Sequence, residues 1–130
     1  MPPAPKSPRP TNAELGILRV LWDLGPSTVR QVHDQLSQKR DVGYTTMLKL
    51  MQIMTDKGLL LRNESERSHV YRAKQKEAVT QKLLVKDLVS RAFGGSTEKL
   101  VMQALSSKKA SAQEIADIRR LLDEMEGGAK

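Results

Sequence analysis

One segment of the chain combines side chains that could read nucleic acid. Two hydroxyls, an ammonium and an amide fall on what the spacing predicts to be one side of a helix: Thr45, Thr46, Lys49 and Gln52. The other side repeats apolar residues at positions i, i+3, i+4 and i+7: Met47, Leu50, Met51 and Met54. Such polar groups hydrogen-bond base edges and phosphates without an apolar partner. The pattern therefore indicates a surface for contact with a polyanion.

The charge around this segment has the sign that a polyanion requires. Residues 39–74 carry eight basic side chains against four acidic ones, and the 130-residue chain has a net charge of +7. Charge alone fits an ordinary solvated surface on a small helical bundle equally well. The order of secondary-structure elements must decide between these two interpretations.

Three helices are predicted to position the polar segment. Helix one opens with a capping box, in which Thr11 precedes Glu14 by three residues. Helix two is short and amphipathic, and either Ser27 or Thr28 can cap it. Helix three carries the polar segment and ends at Gly58, because glycine accepts the left-handed conformation that terminates helices.

A β-hairpin is predicted directly after helix three. Residues 59–62 and 69–72 are short apolar or β-branched runs, and the polar stretch NESERS separates them. The order helix, helix, helix, hairpin is that of a winged helix-turn-helix, in which the third helix lies in the DNA major groove and the hairpin reaches a neighbouring backbone. This order favours DNA binding over the interpretation of the basic residues as an ordinary solvated surface.

The predicted DNA-binding residues lie on helix two, on helix three and its preceding connector, and on the hairpin. They are Thr28, Arg30, Arg40, Tyr44, Thr45, Thr46, Lys49, Gln52, Arg67 and His69. For His69 we predict at most a phosphate contact, whereas His33 on helix two is interpreted as a structural residue.

Composition disfavours several other classes of protein. The chain has no cysteine and two histidines, so disulfides, thiolate metal sites and a conventional zinc site are not predicted, and neither is any cofactor. Four scattered aromatic residues offer no stacking platform for RNA. The sequence contains neither a nucleophile elbow nor a phosphate-binding glycine loop, so an enzyme is not predicted. Without a signal peptide or a stretch of about 18 apolar residues, we expect a soluble cytoplasmic protein.

The chain is predicted to divide into two folded regions with unstructured ends. Residues 1–10 hold five of the six prolines and form a disordered tail. Residues 11–75 form the winged-helix DNA-binding domain, residues 76–126 form a helical dimerisation region, and residues 127–130 fray. The predicted fold class is mainly α with a small β-hairpin.

The C-terminal region is predicted to mediate self-association. Its three apolar-striped helices are too short to close an independent core, so a second subunit would bury the remaining surface. The residues predicted to be buried there are Leu84, Leu88, Ala92, Phe93, Leu100, Val101, Leu105, Ile118, Leu122 and Met125. The alternative is that these stripes fold back on residues 11–75. A twofold dimer would present two recognition helices ~34 Å, or a multiple of that distance, apart.

Three stretches of the sequence resemble a known family. They are PTNAELGILRVLWDLGPSTVRQVHDQL, DVGYTTMLKLMQIMTDKGLL and the HVYR strand with the FGGS turn. Together they are similar to the penicillinase and methicillin-resistance repressors of bacteria, over nearly everything from Pro10 to Glu126. The resemblance implies a homodimeric transcriptional repressor that binds a dyad-symmetric DNA operator with helix three as its recognition element.

The resemblance also implies a route of regulation. Family members that answer β-lactams are inactivated when a membrane-bound sensor protease triggers cleavage of an Asn-Phe bond, and Gln103 and Ala104 occupy the corresponding positions here. Copper-responsive relatives carry a cysteine cluster that this chain lacks. We expect proteolysis of the C-terminal region to relieve repression. The alternative functions are a sequence-tolerant architectural DNA-binding protein and a winged-helix protein-interaction module.

Overall fold

The computed structural model describes residues 9–65 and 67–127, and its elements follow one another in the predicted order. The helices are α1 (Asn12–Leu24), α2 (Val29–Leu36), α3 (Tyr44–Lys57), α4 (Glu77–Ala92), α5 (Thr97–Ser107) and α6 (Ala112–Gly127). The strands are β1 (Leu60–Asn63) and β2 (Val70–Ala73), which pair antiparallel. The predicted fold class, mainly α with a small β-hairpin, is confirmed. The predicted tail before Arg9 and the C-terminal residues 128–130 lie outside the described residues.

The described residues form two compact units, one ending at Leu84 and the other beginning at Val85. The first contains α1, α2, α3, the hairpin and the start of α4. The second contains the rest of α4 with α5 and α6. The functional division at residue 76 stays a prediction. Within the described ranges, no helix has the length and apolar character needed to cross a membrane.

Local capping signals set the helix ends as predicted. The Thr11 hydroxyl accepts from the Glu14 amide at 3.2 Å, and the Glu14 carboxylate accepts from the Thr11 amide at 2.9 Å. Of the two candidate caps for α2, Thr28 is the N-cap and forms a second capping box with Gln31. Gly58 ends α3 in the left-handed region at a φ of 86°.

The core of the first unit is largely aliphatic. It consists of Ile17, Leu18, Val20, Leu21, Val29, Val32, Met47, Met51, Met54, Leu59, Leu60 and Tyr71. The helical spacing of Leu15, Leu18, Leu21 and Trp22 predicts the inner side of α1, but the buried face is broader, because Ile17 and Val20 are also buried whereas Leu15 and Trp22 are only half-buried. The reason is that α1 packs against α2, α3 and β2, so that more than one of its sides is covered.

The hairpin begins one residue later than predicted on both strands. Leu59 belongs to the end of α3, because its amide donates to the Met54 carbonyl at 2.8 Å. A third extended segment, which the sequence did not reveal, lies beside β2. The buried Ser27 pairs with Tyr71 through two backbone hydrogen bonds of 2.8 and 2.9 Å. These bonds attach the hairpin to the start of α2.

The second unit follows its predicted turns. Gly94 and Gly95 both have positive φ, 56° and 85°, and stand between α4 and α5. Ser96 caps α5 by accepting from the Lys99 amide at 3.1 Å. Ser111 and Glu114 form the predicted capping box at the start of α6. No residue of α5 or α6 is buried within the chain.

Candidate nucleic-acid interface

Helix α3 divides into a buried apolar side and an exposed polar side. Met47, Met51 and Met54 are at most 1% exposed, and Leu50 is half-buried. The four polar residues singled out from the sequence are all exposed: Thr45, Thr46, Lys49 and Gln52. The structure therefore brings the predicted recognition residues together on the outside of one helix.

The N-terminal end of α3 is open to solvent. Gly43 is its N-cap and has no side chain to occupy the first amides of the helix. Tyr44, the first helical residue, lies with its ring edge-on to His33, with ring centroids 5.7 Å apart. His33 is itself held by a 2.7 Å hydrogen bond between Nε2 and the Val42 carbonyl. This is the structural role that the sequence indicated for His33.

Arg30 extends this cluster toward the solvent. Its Cζ atom lies 4.8 Å from the centroid of the Tyr44 ring, which is the geometry of a cation–π contact. Both residues are exposed and both were predicted to bind DNA. The contact between α2 and α3 therefore places a guanidinium beside the start of the recognition helix.

Thr28 and Arg40 stand in different surroundings. The Thr28 hydroxyl accepts from the Gln31 amide at 3.2 Å, so much of its hydrogen-bonding capacity serves the cap of α2. Arg40 is exposed on the connector before α3 and lines a cavity of about 270 Å³ together with Asp41 and Thr46. In the described part of the chain, no group of three or more His, Asp or Glu side chains could hold a metal ion.

The hairpin carries two of the predicted contacts, Arg67 and His69, both exposed. Glu64 lies near both His69 (Nε2–Oε1 3.9 Å) and Arg62 (Nη2–Oε2 3.4 Å). The pKa of Arg62 is raised, first by its hydrogen bond to the Tyr71 side chain and then by Glu64. Arg62 is therefore engaged within the hairpin, whereas Arg67 lies at its tip. Glu66 of the tip lies outside the described residues.

One ion pair changes the charge count made from the sequence. Lys57 donates to both carboxylate oxygens of Glu14, at 2.8 and 3.0 Å, although the two residues are 43 positions apart. Burial disfavours the Glu14 carboxylate, but hydrogen bonds from Lys57 and Thr11 outweigh it, so the pKa of Glu14 is lowered. Lys57 therefore compensates a buried charge, and the pair adds no net positive charge to the molecule. No local sequence pattern signals this pair.

The residues predicted for dimerisation are not buried within the single chain. Leu88, Ala92, Val101, Leu105, Leu122 and Met125 are exposed, and the remaining four are half-buried. Met125 is 65% exposed and Leu122 is 54% exposed. The predicted cleavage positions, Gln103 and Ala104, are exposed on α5.

Comparison with known proteins places the chain among bacterial regulators. The sequence profile of the penicillinase repressor family matches residues 10–124. The chain is 32% identical over 117 residues to the transcriptional regulator BlaI of Mycobacterium tuberculosis (strain CDC 1551 / Oshkosh), covering 88% of this chain and 83% of that protein. It is 20% identical to a penicillinase repressor of Staphylococcus aureus, covering 87% and 90% of the two chains. A crystal structure of a probable transcriptional regulator from Pseudomonas aeruginosa is 19% identical, with a TM-score of 0.45 over 88% of this chain and 77% of that one.

Proposed function

This chain belongs to the penicillinase repressor family, whose members are transcriptional repressors and not enzymes, and from this premise we propose that it binds a dyad-symmetric DNA operator as a homodimer. The observation that carries the proposal is the two-sided character of α3. Its methionines are buried in the core while Thr45, Thr46, Lys49 and Gln52 are exposed. A helix with this division presents polar groups to a major groove without uncovering the core.

The exposed residues of α3 have distinct roles in this proposal. Gln52 and Lys49 are long enough to reach base edges, where an amide pairs with adenine and an ammonium with guanine. Thr45 and Thr46 lie in the first turn, near the uncapped amides, and these groups together suit a phosphate. Base contacts specify the sequence, whereas phosphate contacts set the position of the helix.

Residues outside α3 supply further phosphate contacts. Arg30, beside Tyr44, and Arg40, on the connector, flank the start of the recognition helix. Thr28, the N-cap of α2, contacts the same phosphate backbone through its exposed atoms. Arg67 and His69 reach the neighbouring backbone from the hairpin. Such contacts are independent of base sequence, so they contribute to affinity for any duplex.

A second subunit completes the proposed operator-binding species. Exposed apolar residues along α4, α5 and α6 would be costly to leave in water, and a twofold interface would bury them. The dimer matches a palindrome, because each subunit offers the same α3 to one half-site. Removal of part of this surface would separate the subunits and abolish simultaneous binding to the second half-site. We therefore propose that a membrane-bound sensor protease triggers proteolysis in the C-terminal region, at the exposed α5, and that this cleavage relieves repression.

Selection of bound fragments from random-sequence DNA, followed by gel-shift titration, tests the proposal. We expect a short dyad to be enriched, and Lys49→Ala to weaken binding of the dimer to it about a hundredfold, the equivalent of one base contact in each half-site. Lys82→Ala, on the exposed part of α4, is the matched control and leaves binding unchanged. Equal binding to all duplexes would instead indicate an architectural protein, and no binding at all would indicate an interaction module.

The proteolytic step has its own test. Mass spectrometry of the chain under inducing conditions is expected to find cleavage between α4 and α6. Recovery of full-length protein only, under conditions that derepress transcription, would contradict the proteolytic mechanism and leave DNA binding untouched.

A further inference from the structure

We propose that Glu14 and Lys57 act as positioning residues that set the angle of α3 in the DNA groove, an inference that rests on the proposed operator binding. Glu14 lies in the first turn of α1 and is 2% exposed, and Lys57 is the last residue of α3. Their ion pair thus joins the start of one helix to the end of the recognition helix. Neither residue needs to contact DNA.

The geometry of the pair is fully specified. Both oxygens of the Glu14 carboxylate accept from Lys57 Nζ, and Oε1 also accepts from the Thr11 amide. The capping box holds the carboxylate to the backbone of α1, so the acceptor cannot swing with its own side chain. Lys57 is therefore drawn to a fixed point, and the end of α3 is drawn with it.

Other contacts of α3 specify its angle less sharply. The helix packs on the core through Met47, Met51 and Met54, and methionine is unbranched, flexible and tolerant of shifts in packing. At the opposite end, Gly43 supplies no side-chain cap, and Tyr44 contacts the His33 ring edge-on with centroids 5.7 Å apart, a contact without the short hydrogen bonds of the ion pair. An ion pair with a buried carboxylate contributes little net stability compared with apolar replacements, but it accepts only a narrow range of geometries. Orientation is consequently its principal contribution here.

A small change at this end is amplified at the groove. Lys57 and Lys49, a residue proposed to contact bases, are eight residues apart on one helix, which corresponds to about 12 Å. A tilt of about 6° about the Lys57 end would move the Lys49 backbone by about 1.3 Å, which is enough to break a hydrogen bond to a base. Contacts to phosphates tolerate such a shift better, since charge attraction falls off slowly with distance. Loss of the pair should reduce selectivity for sequence and spare general affinity for DNA.

Two single variants and their combination separate orientation from charge. Glu14→Gln keeps a side-chain carbonyl for the Thr11 amide, and Lys57→Met keeps the aliphatic stem. The double variant leaves no unpaired buried charge, so it folds even where a single variant is destabilised. Lys57→Arg retains a positive charge that can pair with Glu14, and it serves as the conservative variant. Lys82→Met, an exposed lysine of α4 without a role in the interface, is the matched control.

The readout is the ratio of affinities for a duplex enriched by the wild-type protein and for a random duplex, measured at one salt concentration and well below the melting temperature. We expect each single variant and the double variant to lower this ratio about tenfold, comparable to the loss of one base contact. Affinity for the random duplex should stay within about twofold, because phosphate contacts remain. Lys57→Arg should recover most of the ratio, and Lys82→Met should leave it unchanged.

Three results would overturn the inference. An unchanged ratio in the double variant, with a melting curve showing a folded protein, would limit the pair to a role in stability. A rise in affinity of Glu14→Gln for both duplexes would show that a released Lys57 binds phosphate directly. A wild-type protein without any preference between duplexes would overturn the proposed operator binding as well, whereas the first two results leave that function standing.

Discussion

The salt dependence of binding offers the sharpest test of the interface. Each phosphate neutralised by the protein releases condensed counterions, so the binding constant falls with salt in proportion to the number of contacts. Lys57 pairs with Glu14 and Arg62 pairs with Glu64, and neither basic residue belongs to the predicted DNA-binding set. That set contains four cations, and all of them are exposed: Arg30, Arg40, Lys49 and Arg67.

These four cations give a magnitude. If each neutralises one phosphate in each subunit, the logarithm of the binding constant should fall against the logarithm of salt concentration with a slope of about −7 for the dimer. Between about 50 and about 200 mM salt the affinity should then fall about 10⁴-fold. Arg67→Ala removes one contact from each subunit and should bring the slope to about −5.5, with similar losses on selected and random duplexes.

Fluorescence anisotropy of a labelled duplex, titrated at several salt concentrations, measures the slope. Lys82→Ala is the control, since it removes a positive charge from α4 and should leave the slope at its wild-type value. A slope shallower than about −2 would refute the DNA interface altogether, because it leaves about one phosphate contact per subunit. If Arg67→Ala retained the wild-type slope, only the proposed contact between the hairpin and the DNA phosphate backbone would be refuted.

Three further predictions concern stability and assembly. Lowering the pH below 4.5 should reduce the melting temperature, because the lowered pKa of Glu14 means that its ionised form stabilises the fold and protonation removes that contribution. Glu14→Gln should lack this part of the decline. An equal decline of the melting temperature in both proteins would contradict the role of Glu14. Gly58→Ala should cost about 1 kcal/mol in chemical denaturation, because φ is +86°, whereas Gly43→Ala, at a φ of −71°, should cost less than about half of that. Leu122→Asp should raise the dimer dissociation constant at least about a hundredfold in analytical ultracentrifugation, because a charge would be buried in the interface. Arg119→Asp on the same helix is the control. If both variants formed dimers of unchanged stability, the interface would lie elsewhere.

Much of the fold was predictable because its signals are local. The Thr11–Glu14 capping box and the left-handed Gly58 depend on residues within one helical turn, and the structure has both where the sequence indicated. The methionine stripe of α3 was equally readable, since its period of 3.6 residues already assigns one side to the core. The exposure of Lys49 follows from the same period.

Features that depend on neighbours in space were missed or misplaced. The hairpin begins one residue late because the Leu59 amide is used by the last turn of α3, a hydrogen bond that competes with the strand. The bridge between Ser27 and Tyr71 joins segments that are 44 positions apart, so no window of sequence contains it. Cysteine content, charge and periodicity carry no information about such pairings.

By itself, the sequence determined which residues of α3 are polar and which are apolar, because that division is a property of helical spacing alone. Only the tertiary structure decided which of the positive charges are available to a partner. Lys57 and Lys49 are both exposed residues of one helix, but the ammonium of Lys57 is held by the buried carboxylate of Glu14, whereas Lys49 lies on the polar side of α3. Whether a charge serves the fold or the surface depends on what the packing of distant segments brings within about 3 Å of it.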